Sequence, residues 1–124
     1  MTFLETFVAG DIGAEDFRHA DHVRAGYELL ARHDFLEAAS AYCRALKIMT
    51  ARIGKPEAFH QTITLAFLAV IAERMEGGRH SNFEAFAEAN PDLMDKAMLA
   101  RWYKPETLNS SAARRGFVLP DPAF

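Results

Sequence analysis

Hydrophobic positions recur along this chain at steps of three and four and almost nowhere at steps of two. From Asp16 onward His19, His22, Val23, Gly26, Tyr27 and Leu30 fall on one helical face. The pattern fades at His33 and Asp34, which predicts a first long helix over residues 16–34. A second spans 36–53, with Ala38, Ala41, Tyr42, Ala45, Leu46 and Met49 on one stripe, and Gly54 stops it ahead of Pro56. The link between them, residues 32–35, is short enough to force an antiparallel helical hairpin.

Pro56 suits a first helical position, and a third helix is predicted from there through Phe59, His60, Ile63, Phe67, Val70 and Ile71 to Gly77 and Gly78. It is apolar around most of its circumference, the mark of a central helix contacted on several sides. Ser81 or Asn82 can cap a short helix ending at Glu88, before Asn90, Pro91 and Asp92 break the chain. A fourth long element is expected over 92–103 and a last short helix over 106–115. The tail, 117–124, contains Pro120 and Pro122 and should run extended, packed down by its apolar residues. At the other end Phe3, Leu4, Phe7 and Val8 form a turn or two of helix closed by Gly10 and Gly13. The pattern predicts an all-α fold: one domain over 1–124, a helical bundle of about four main helices with an extended C-terminal tail.

Composition narrows the function classes. With 124 residues, half of them hydrophobic, the chain can bury one core of ordinary size. Its 14 basic and 17 acidic residues give a net charge of −3, without the positive footprint that grips phosphate backbones, so nucleic acid is not an expected partner. The longest charge-poor run, 63–72, falls short of the roughly 20 residues that span a bilayer. The first ten residues lack the basic start and long apolar core of a secretory signal. No membrane partner and a cytoplasmic location are therefore expected, while a homo-oligomer stays open. Cys43 is alone and sits in an apolar helical pattern, which suits a small buried hydrophobe.

The stretch 22–53 resembles a tetratricopeptide repeat, with Gly26, Ala38, Tyr42 and Ala45 where that family places small residues and an aromatic. One repeat later His60 and Glu76 replace the expected glycine and aromatic, and only Ala72 agrees. The resemblance implies close packing in the hairpin through Gly26, Ala38 and Ala45, and a peptide-binding groove if the unit functions as such repeats do.

Three histidines form the constellation with most chemical content. His19 and His22 lie three apart on one helix, so their rings project from adjacent positions. His60 opens the third helix, and in an up-down-up arrangement the first and third helices run parallel with their starts at one end. All three fall on apolar phases and should point inward at similar depth. Three converging imidazoles suit zinc, iron or copper, with an open position for water or substrate. Thr64, one turn beyond His60, could contribute. Asp21 fits a capping or supporting acceptor, and Glu73, some 20 Å along the helix from His60, is a poor ligand. Against this stands the plainer alternative, in which each imidazole is a buried side chain bonded to a carbonyl or carboxylate. His33 and His80 fall in loops.

Glu73 interrupts the apolar run of the third helix and would need a partner such as Arg114 or Arg24 if buried. Arg114 and Arg115 could bind an anionic ligand, or one arginine could tie down the extended terminus. Taken together, His19-Ala20-Asp21-His22-Val23-Arg24, His60-Gln61-Thr62-Ile63-Thr64, Glu73-Arg74 and the Arg114, Phe117, Pro120, Asp121 tail resemble a small uncharacterised bacterial family. That resemblance carries no activity with it.

The leading expectation is a helical bundle that binds a transition metal or a polar small molecule at His19, His22 and His60. Tyr27, Phe67 and Tyr103 would form apolar walls, with Thr64 and Arg114 as further ligand contacts, and enzymatic use remains open. The alternative is a helical interaction module built on the repeat-like hairpin and an exposed Trp102, although Trp102 and Tyr103 also fit the core.

Overall fold

The computed structural model describes residues 1–122, and among these every regular element is helical. Thr2 and Glu5 cap each other's backbone N–H groups and start α1 (Phe3–Val8). The long elements are α2 (His19–Arg32), α3 (Phe35–Arg52) and α4 (Gln61–Glu76). Asp21 accepts the Arg18 N–H at 2.9 Å and closes the first turn of α2, the capping role expected of it. Asp34 likewise caps α3 through the Glu37 N–H. With only His33 and Asp34 between them, α2 and α3 form the expected hairpin.

Asn82 caps α5 (Phe83–Ala89) by accepting the Ala85 N–H. The chain then makes two 3-10 turns, Pro91–Met94 and Met98–Arg101, where a single long helix was predicted over 92–103. Asp95 is the cause: its backbone turns extended and its carboxylate takes the Ala97 N–H at 2.9 Å, a local bond that competes with helix continuation. The last predicted helix, 106–115, is likewise divided into α6 (Pro105–Leu108) and α7 (Ser111–Arg115). Ser110 donates to the Thr107 carbonyl and caps α7 through Ala113, ending one element while starting the next.

Two apolar clusters meet along α2 and α4. The first gathers Phe7, Leu29, Tyr42 and Leu68 with Ala25, Ala38 and Ala45. The second joins Val23, Phe67 and Ile71 to Phe86, Leu93, Leu99 and Tyr103. Phe7, Phe86 and Leu93 are fully buried, each worth about 2–3 kcal/mol of burial free energy. Both α2 and α4 contribute to each cluster, so the central position expected of the third helix is shared by the first. Only Ala69, Glu73 and Glu76 form an exposed strip on α4. Glu73 therefore reaches water and needs neither Arg114 nor Arg24, which instead pairs with Glu28 at 2.6 Å. The partnered residue is Arg74, whose guanidinium meets both carboxylate oxygens of Asp92 at 2.9 and 2.7 Å and also holds Asn90.

The small residues do not all serve the hairpin. Ala38 and Ala45 are fully buried in the first cluster. Gly26 instead admits α4, since a methyl group on it would stand 3.0 Å from the Ile71 Cδ1 and 3.1 Å from the Leu68 Cδ1. The tail is extended as predicted through residue 122, with 123 and 124 outside the described residues. Polar bonds rather than apolar burial hold it, for Phe117 and Leu119 are exposed. Thr62 donates to the Gly116 carbonyl and accepts the Val118 N–H, while Tyr103 donates to the Val118 carbonyl. Asp121 takes the Lys104 N–H and the Thr107 hydroxyl and gives its own N–H to Trp102.

Candidate functional site

A cavity of about 260 Å³ opens where the first turns of α2 and α4 meet the second half of α3. His19 and His22 enter it from α2, Tyr42, Leu46 and Thr50 from α3, and Ile63, Thr64 and Phe67 from α4, with His60 and Phe59 just before that helix. Three histidines and Thr64, singled out from spacing alone, thus line one space. Its walls are mainly apolar, and Lys96 stands exposed on its edge. A second cavity of about 160 Å³ shares His22, Leu46 and Thr50, so His22 stands between the two.

The three imidazoles differ in what they have left to offer. His60 does not lie inside a helix that begins at Pro56. The Pro56–Ala58 segment is a separate 3-10 turn, and after Phe59 the chain is extended at His60, which is the N-cap of α4. Its Nδ1 accepts the Ile63 N–H at 3.1 Å, so the proton sits on Nε2, which donates to the Leu108 carbonyl at 2.6 Å. Both ring nitrogens are engaged. His19 Nε2 lies 2.9 Å from the Leu93 carbonyl, and its ring packs edge-on against Phe67 at 5.0 Å. Phe67 comes seven residues after His60, so His19 reaches the second turn of α4 while His60 stands at its start.

Of these three, His22 is the one whose ring has no protein hydrogen-bond partner among the described residues. Its ring packs on Phe17 at 4.4 Å and lies 6.3 Å from that of His19. Burial, reinforced by His19 and only partly offset by Asp21, lowers its pKa to about 4. Near neutral pH it therefore presents one N–H and one lone pair among mainly apolar walls. Tyr42 fixes the backbone beneath it by donating to the His22 carbonyl at 3.0 Å, and burial drives that phenol's pKa strongly upward. No group of three histidine, cysteine, aspartate or glutamate side chains among the described residues is arranged to hold a metal ion.

The other residues proposed from sequence lie elsewhere. Tyr27 packs on Phe86 at 4.8 Å beside α5. Tyr103 is buried in the second cluster with its hydroxyl on Val118. Arg114 lines a separate cleft and donates to the Glu57 carbonyl at 3.1 Å, tying α7 to the 3-10 turn. Trp102 is half-buried against the second cluster. Conversely, the apolar spacing gave no signal that Phe59, Thr50 or Lys96 would reach the cavity. Tyr42 was visible only as an aromatic on the α3 stripe. No helix among the described residues is long and apolar enough to cross a membrane. Comparison with family models, curated proteins and solved structures gave no match for this chain.

Proposed function

We propose that the chain binds a small, largely apolar molecule carrying one polar group, with the body in the α2–α3–α4 cavity and the polar group on His22. One observation carries this reading: a mostly apolar space of about 260 Å³ contains a neutral imidazole whose hydrogen-bonding capacity the protein leaves unused. Ligand sites commonly combine apolar walls with a few placed polar groups, and an apolar cavity of about 150 Å³ already accepts benzene. A ring system or a short alkyl chain suits the larger space. A metal shared by His19, His22 and His60 is less well supported, because neither ring nitrogen of His60 is free and ligation would cost at least its cap on α4.

The test is a titration with 1-octanol followed through the imidazole resonances. The His22 signals should move while those of exposed His33 stay in place, and Phe67→Trp, which fills the cavity, should abolish the change. Equal small movements of both rings, or an unaltered response in the Trp variant, would overturn the proposal.

A further inference from the structure

The outer wall of the cavity is the segment of residues 56–61, and its far side carries the opposite chemistry. Phe59 lines the His22 cavity and also a cleft bounded by Lys47, Arg114 and Arg115. This aromatic lies between the 3-10 turn and α4, in extended backbone, so no helix encloses it. The Lys47 ammonium sits over its ring, 5.3 Å from the centroid. In a chain of net charge −3, three cations thus converge on one cleft. None of them forms an ion pair with a carboxylate among the described residues. Arg114 spends one N–H on the Glu57 carbonyl and keeps the rest of its fork. Glu57 also lines the cleft, so even with its carboxylate counted there is an excess of two positive charges.

We infer that the ligand is an amphipathic anion, a carboxylate or phosphate monoester, whose head sits among Lys47, Arg114 and Arg115 and whose apolar body passes Phe59 into the His22 cavity. This rests on the cavity reading above and adds the class of ligand. Phe59, half-buried, is the one lining residue common to the apolar space and the cation cleft, so a single molecule can satisfy both once that ring swings aside, and arginine forks suit the planar or tetrahedral oxygens of such heads. His22, neutral and half-buried, then meets a polar group on the body of the ligand, distinct from the anionic head.

The experiment compares 1-octanol, octanoate, octyl phosphate, acetate and inorganic phosphate, each by calorimetry and by the His22 resonance. Octanoate or octyl phosphate should bind about tenfold more tightly than octanol, as expected for a charge-assisted contact. The double variant Lys47→Gln/Arg115→Gln, at two exposed positions, should remove that advantage and leave octanol unchanged. The preferred octyl compound identifies the head. If octanol binds as well as both anions, in wild type and variant alike, the anionic head is wrong and the cavity reading stands. If acetate or phosphate binds as tightly as its octyl counterpart, the cleft takes a free anion and the single-ligand inference fails. If none of the octyl compounds moves His22, the cavity reading and this inference fall together.

Discussion

His60 and Leu108 are joined by a 2.6 Å hydrogen bond from the imidazole Nε2–H to the backbone carbonyl, across 48 residues of sequence. The same ring caps α4 through the Ile63 N–H, so one side chain both starts the central helix and anchors α6 against it. That double duty removes His60 from the set of free ligands while fixing the wall of the cavity.

Replacing it separates the two jobs. His60→Ala should lower stability to urea by about 2–3 kcal/mol, the sum of a lost helix cap and a lost interior hydrogen bond. His60→Asn, which can still cap, should recover about 1 kcal/mol of that loss. Equal midpoints for the two variants would show that the cap contributes nothing.

His22 gives the fold a pH dependence of known sign. Its pKa is about 4 in the folded chain against 6.5 for the free side chain, so the unfolded chain takes up the proton first on acidification. Its stabilising contribution is complete above pH 6.5 and falls between 6.5 and about 4, by roughly 3 kcal/mol at about 1.4 kcal/mol per pH unit. His22→Leu should remove this slope. The wild-type minus variant difference in unfolding free energy over that window isolates the imidazole from carboxylates that titrate lower.

Asp92 receives guanidinium groups from Arg74 and Arg101, at 2.7 and 3.0 Å. These bonds, Arg74's first, hold its carboxyl far below the usual carboxylate range. Because that pKa is depressed, the carboxylate stabilises the fold above about pH 4 and does so less as pH falls through the folded-state value. Asp92→Asn should cost about 2 kcal/mol at neutral pH, read from denaturant midpoints, since it leaves the partly buried Arg74 without its charged acceptor.

Thr62 is fully buried, and its hydroxyl both donates to Gly116 and accepts from Val118. Thr62→Val keeps the shape and deletes both bonds. The expected cost is about 2 kcal/mol, together with faster hydrogen exchange at the Val118 amide. Unchanged exchange at Val118 would mean that the other contacts alone hold the tail.

The long helices were legible because their apolar positions repeat at the helical period over many turns. What periodicity cannot register is a side chain that bonds to its own backbone. Asp95 diverts the 92–103 stretch through one bond to Ala97, and His60 caps a helix whose apolar pattern extends back to Pro56. Spacing did bring His19, His22, His60 and Thr64 to one cavity, because helix phase and an up-down-up order are enough to gather them. It could not tell which imidazole stays free, since the carbonyls of Leu93 and Leu108 that occupy the others come from distant segments. Tyr27 shared the phase of His19 but faces α5, and Tyr103, expected as an apolar wall, faces the tail. Glu73 reads as an interruption of an apolar run because the outward strip of α4 is only about one residue wide per turn.

The bonds that fasten Gly116, Val118 and Asp121 to Thr62, Tyr103 and Lys104 also bear on how the chain is made. The ribosome delivers α4 well before the strap that covers it, so a nascent chain stalled near residue 110 would carry a buried-type threonine with neither of its partners. Native structure around α4 is completed only when the strap emerges, so this helix waits on a segment made some fifty residues later for its last polar contacts.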